Sequence, residues 1–400
     1  MRKFSKILFF VLAALSAASC IYDYNPQIDG EGGYMVVQGN LVIGEISTVS
    51  TSWSWSLVDT AQGDERWQIL NSSRMHVEAS DGTRYENQYN QWPSLMPYIS
   101  FLSGSPYGSF DLREADPALS YRLVIENARG TYASEWAAPL SPGVLDSLSY
   151  RISEDKTQMA ILVASRGDSQ DGSYYRWTVQ ETWEYHAQTR AFYKYLLDTR
   201  EVVPLDADEN YYACWATGQR PEILTATTKD LLEDKLVDHQ LYTLANTDSR
   251  VSVIYSAEVR QMRLPEEAYR YWQTMERNSS DVGGLFSPEP SELRGNVVNL
   301  DDPDEMVLGY VGVMQVASKR LFVKNYESRF YRTSMMPRPA LDTLSNPDDW
   351  QRAFRTGMRP VTEVFNEESG RWLGYEWWPA YCVDCRLSGG TSSRPDFWPN

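Results

Sequence analysis

Basic residues, histidines and long apolar runs are all scarce in this chain. Beyond residue 20, no stretch is both long and apolar enough for a membrane-spanning helix, which needs about 20 residues. Alternating segments of about ten residues do not recur along the chain, as the strands of a transmembrane barrel would require. Lysine and arginine number 37 against 54 acids, for a net charge of −17. Nucleic acid and anionic lipid surfaces are held through basic patches, so this balance speaks against both. Histidine occurs three times, at His76, His186 and His239, which leaves few bases for nucleophilic catalysis. The patterns GxSxG, HExxH, GxxxxGK[ST] and GxGxxG are absent, so no serine elbow, zinc helix or phosphate loop is indicated. No catalytic residue, cofactor or metal ligand is assigned.

Two acidic stretches bear on calcium binding. Asp206-Ala207-Asp208-Glu209-Asn210 opens like a calcium loop, but the sixth and twelfth positions are Tyr211 and Thr217, where that loop needs Gly and Glu. Asp301-Asp302-Pro303-Asp304-Glu305 reads as a solvated acidic turn.

What is present begins at the N-terminus. Arg2, Lys3 and Lys6 precede an apolar run from Ile7 to Leu15, then Ala17-Ala18-Ser19-Cys20. A basic start, a short apolar core and small residues make a secretory leader. A cysteine directly after the small residues resembles a bacterial lipobox, whose thiol is acylated. The expectation is a leader over 1–19, a chain lipidated at Cys20, and a polar tether over 20–32.

Aromatic residues are abundant, with 14 Trp and 26 Tyr. Such residues suit the half-buried faces of strands. Strand patterns recur at Tyr34–Ile43, Tyr121–Glu126, Gln158–Val163, Tyr174–Tyr185, Arg250–Arg260, Val307–Val313 and Arg320–Val323, and Arg74–Glu86 forms a hairpin candidate with Asp81-Gly82 at its turn. Thr227–Lys235 reads as a short helix or the approach to a strand, and 335–370 as Pro-rich and irregular. One helix is expected near 265–277, with Pro265 and acids in its first turn and Ala268, Tyr271, Trp272 and Met275 as an apolar stripe directed at the core. The fold class is therefore mainly β. An Ig-like or transthyretin-like β-sandwich is expected over 33–142. A larger β-rich domain with one or two helices is expected over 143–400.

Besides Cys20 the chain holds Cys214, Cys382 and Cys385, an odd number for an oxidising compartment. One structural disulfide and one leftover thiol are expected, with the pairing open. The CxxC of Cys382 and Cys385 lacks the βαβ context of a redox motif.

Several segments in order resemble one family: Tyr34-Met35-Val36-Val37-Gln38-Gly39, Gly130-Thr131-Tyr132-Ala133-Ser134, Cys214-Trp215, Pro265-Glu266-Glu267-Ala268-Tyr269, Gly284-Leu285-Phe286, Val307-Leu308-Gly309-Tyr310, Cys382-Val383-Asp384-Cys385-Arg386 and Arg394-Pro395-Asp396-Phe397-Trp398. The chain resembles the Bacteroidota lipoproteins of domain of unknown function 4249. That resemblance implies an outer-membrane lipoprotein, often encoded beside TonB-dependent receptors, and carries over no catalytic residues. Ile21-Tyr22-Asp23-Tyr24 holds one acid, where surface-exposed lipoproteins often carry an acidic cluster, so the membrane face stays open. The leading expectation is a ligand-binding or accessory subunit of a TonB-dependent (SusC-like) nutrient uptake system, its ligand unspecified. A structural or adhesive surface protein is the second reading, and a glycan- or peptide-acting enzyme the third.

Overall fold

The computed structural model describes residues 33–54, 73–88, 107–167, 171–206, 209, 211–280, 295–332 and 342–399. The leader, Cys20, the tether and the Gly284–Phe286 segment lie outside them. The described chain is mainly β, with six sheets and four α-helices; strands are numbered in chain order.

The first sheet is built on β1 (Met35–Val42). β2 (Ile46–Trp53) pairs antiparallel on one side of it, followed by β5 (Tyr107–Asp111). On its other side β18 (Val307–Leu308) and β19 (Val311–Met314) pair in parallel. The second sheet is antiparallel, in the order β17 (Val297–Asn299), β7 (Gly130–Ser134), β6 (Tyr121–Asn127), β3 (Arg74–Ala79) and β4 (Arg84–Glu86). Met35, Val37 and Leu41 from the first sheet meet Met75, Val77, Leu123 and Ile125 from the second in one buried apolar cluster. Alternation along each strand places these residues on one face.

A third sheet holds β15 (Lys235–Ala245), β9 (Gln158–Arg166) and β8 (Val144–Ile152). The fourth centres on β10 (Tyr174–His186), with β13 (Ala213–Gln219) and β14 (Leu224–Thr227) along one edge. On the other edge lie β16 (Ile254–Leu264) and β20 (Ala317–Lys324). Met159, Ile161 and Val163 share a core with Tyr175, Trp177, Val179 and Val259. The remaining strands are the hairpin β11 (Tyr193–Leu196) and β12 (Glu201–Pro204), and a sheet of β21 (Asp342–Leu344), β23 (Trp372–Pro379) and β22 (Met358–Phe365). The helices are α1 (Glu266–Ser280), α2 (Asn325–Ser328), α3 (Pro347–Arg355) and α4 (Ala380–Val383).

The structure departs from the sequence expectations at four places. The first is the division at residue 142. After residue 295 the chain returns to the first two sheets, where β18 and β19 cover the edge of β1 and β17 covers the edge of β7. A segment ending at 142 would leave both edges open, so the split between 33–142 and 143–400 is crossed by 297–314. Second, the strand expected over Val307–Val313 is two short strands, broken at Gly309. Gly309 takes φ +101°, and a Cβ there would stand 1.9 Å from the Val37 carbonyl oxygen, so only glycine allows the two backbones to meet. Third, within the stretch 335–370 expected to be Pro-rich and irregular, 342–365 holds two strands and a helix; residues 335–341 lie outside the described set. Asn346 caps α3 by accepting from the Asp348 amide at 3.0 Å, with Pro347 in the first turn, so the proline starts a helix here. Fourth, β16 begins at Ile254, behind a short 3₁₀ turn at Ser249–Val251.

Candidate functional site

A cleft of about 650 Å³ opens where β1, β10 and α1 converge. Its size falls within the usual range for small-molecule sites. Five stretches line it: 36–40 on β1, Arg176 and Thr178 on β10, 219–223 from the end of β13 onward, one face of α1, and 308–310 from the end of β18 to the start of β19. Strand periodicity explains the β10 wall. Tyr175, Trp177 and Val179 turn into the core, so Arg176 and Thr178 face the opposite side.

The α1 stripe divides between two tasks. Ala268 is buried beside Tyr269, Met262, Leu264 and Met314. Tyr271, itself buried, and Trp272, which packs against that cluster, also line the cleft together with Met275. The core packing expected of the stripe holds for Ala268, Tyr271 and Trp272, and Tyr269, which the stripe did not include, joins the same cluster. Helical spacing marks an apolar face without saying whether that face meets side chains or a hollow. The Tyr271 ring lies 5.5 Å from Trp272, edge on, and 5.2 Å from Tyr310. Burial pushes the Tyr310 hydroxyl up to about 12, with Glu135 and Glu267 adding to it. It therefore stays protonated, a hydrogen-bond donor, at neutral pH.

The Arg176 guanidinium stacks on Trp272, its carbon 3.7 Å from the ring centroid. Among the described residues it forms no ion pair. Its polar contact is Nη1 to the Met262 sulfur at 3.9 Å, and its Nε is buried without an acceptor. The residue keeps some surface along the cleft, yet burial draws its pKa down to about 10. Arg220, across the cleft, is fixed from behind. Its Nη1 donates to Glu181 at 2.8 Å and its Nη2 lies 3.1 Å from Glu222. Glu181 also accepts from Arg250 and from the Tyr255 hydroxyl, each at 2.5 Å, and Tyr242 bonds Tyr255 at 2.8 Å. Asn40 Oδ1 and Arg220 Nε, on residues lining the same cleft, are also buried without partners among the described residues.

A family model described as domain of unknown function (DUF4249) matches residues 21–320. The chain belongs to this family. The match spans every wall of the cleft. None of the curated proteins compared with this DUF4249 chain matches it.

The remaining residues singled out from the sequence are dispersed over the DUF4249 fold. Cys214 and Cys385 form a disulfide, with Cα atoms 5.7 Å apart, and Cys382 is left as a buried free thiol. Burial pushes that thiol's pKa up, which makes it a poor nucleophile. His76 contacts Glu78 at 3.2 Å and also Arg84. His186 contacts Glu184 at 2.9 Å, and His239 stacks on Trp177. Among the described residues no group of three or more His, Cys, Asp or Glu is placed to hold a metal ion. Asp206 and Glu209 both bind Lys194, at 2.8 and 2.6 Å. In the acidic turn, Glu305 accepts from the Tyr132 hydroxyl at 3.0 Å and Asp301 from the Thr131 amide at 2.7 Å. Residues 301–304 are exposed, as expected of a solvated turn, and Asp301 and Glu305 also fasten it to β7. It borders a second hollow of about 540 Å³ with Arg129.

Proposed function

We propose that this chain is an exported lipoprotein of the outer membrane, anchored through Cys20, that serves as a non-catalytic ligand-binding or accessory subunit of a TonB-dependent uptake system. The leader ending at Cys20 and the family membership support the address. The observation that carries the binding reading is the cleft between β1, β10 and α1. Its lining combines three adjacent aromatic rings with an arginine that has no counter-charge among the described residues. Apolar walls with a few placed polar groups are the make-up of a recognition site.

Affinity purification of the tagged full chain from native membranes in mild detergent tests this reading. A TonB-dependent receptor should co-purify in stable proportion. Recovery of the chain without any receptor of that class would overturn the accessory role.

A further inference from the structure

The chain has 54 acidic residues, and most of the arginines facing its interior are paired. Arg122 reaches Glu78 at 2.7 Å, Arg320 reaches Glu258 at 2.6 Å, and Arg250 holds both Glu181 and Asp248. Arg176 has no such partner among the described residues, although its Nε is shut off from solvent. A partly buried guanidinium without a counter-charge is costly to fold. Stacking on Trp272 engages the face of the guanidinium plane, and the N–H donors lie along its edge. The charge missing from the protein is thus one that a ligand would supply.

We propose that Arg176 takes the carboxylate of a small organic acid whose ring or aliphatic body rests against Trp272, Tyr271 and Tyr310. The inference rests on the ligand-binding reading above and names its ligand class. A single carboxylate suits the charge present. Arg220 is already shared between Glu181 and Glu222, which leaves the guanidinium edge of Arg176 as the unpaired cationic donor on the cleft among the described residues. A phosphate dianion would bring an excess of negative charge beside Glu222. The carboxylate also matches the planar fork of arginine, which binds it through two parallel hydrogen bonds. The apolar body matches the remaining wall, where Met275 and Leu308 accompany the three rings.

Matched pairs of acid and neutral analogue test this on the purified full chain in detergent. The probes are 4-hydroxyphenylacetate against its amide, cyclohexanecarboxylate against its amide, glucuronate against glucose, and inorganic phosphate. Binding is read by thermal shift and by tryptophan fluorescence, to which Trp272 contributes as one of 14 tryptophans. At least one acid should raise the melting temperature and change the fluorescence while its neutral partner does neither. Arg176→Met should weaken that acid at least tenfold while the unliganded protein melts normally. Should Arg176→Met fail to fold, Arg176→Lys carries the test, since it keeps the charge and loses the fork; a tenfold loss is again expected. Three results would overturn the proposal: no acid exceeding its neutral partner, equal binding by the folded Arg176 variants, or stabilisation by phosphate alone. Receptor co-purification is a separate readout, so loss of acid binding with the receptor still recovered would refute this site and leave the accessory role standing.

Discussion

Glu181 is 3% exposed, and its two oxygens satisfy Arg220, Arg250 and the Tyr255 hydroxyl at once. Removing one partner of a buried ion pair leaves the other charges uncompensated, at a cost of about 3–5 kcal/mol. Glu181→Gln should lower the unfolding free energy by that amount in a denaturant titration, and a change below about 1 kcal/mol would show that Arg220 is held by other means. The contrast with Arg176 is instructive. Both arginines border the cleft, but one is anchored within the protein and the other is not. Neither difference could be read from the sequence. Arg176 is one polar position in an alternating strand, and Glu181 lies on the same strand. Only burial and the arrival of 220, 250 and 255 from distant positions separate their roles.

At the scale of elements, the disulfide fastens the tail to the outer edge of the fourth sheet. Cys214 lies on β13 and Cys385 just beyond α4. Around them the Tyr185 hydroxyl donates to the Cys385 carbonyl at 2.8 Å, and the Trp215 and Thr391 backbones exchange hydrogen bonds at 2.8 and 2.9 Å. Trp398 Nε1 donates to Glu184 at 3.0 Å. The bridge closes a separation of 171 residues, which restricts the unfolded chain strongly. Cys385→Ser should therefore cost about 2–4 kcal/mol and expose the segment after Pro379 to limited proteolysis before the rest of the chain. Unchanged stability and an unchanged cleavage order in the variant would contradict that role. The sequence narrowed the disulfide to three cysteines but could not choose between partners. The pairing depends on where β13 and the tail meet, 171 positions apart. The hairpin over Arg74–Glu86 was legible because its turn is local: Gly82 takes φ +92° between β3 and β4. The order in 342–365 did not show in the sequence because proline content alone marks irregular chain, whereas Asn346 ahead of Pro347 and Asp348 behind it make a helix start.

At the scale of the molecule, the mainly β class followed from alternating aromatic and branched residues, because each strand carries that signal within itself. The layout of the sheets did not follow. β17, β18 and β19 are short, and they complete sheets begun more than 150 residues earlier. Their return also creates the candidate site, since 308–310 supply one wall of the cleft and Tyr310 one of its rings. The site was only partly legible for the same reason. Tyr271, Trp272 and Met275 were visible as a stripe, while their neighbours come from four other stretches. The proposal for the whole chain is a β-rich binding body held at the outer membrane by acyl chains on Cys20. Metabolic labelling with an alkyne-tagged fatty acid, followed by membrane fractionation, tests it most directly. The wild-type chain should carry the label and sediment with the outer membrane, and Cys20→Ala should lose the label and leave that fraction. An unlabelled wild-type chain, or a Cys20→Ala chain that keeps its place in the membrane, would contradict the account.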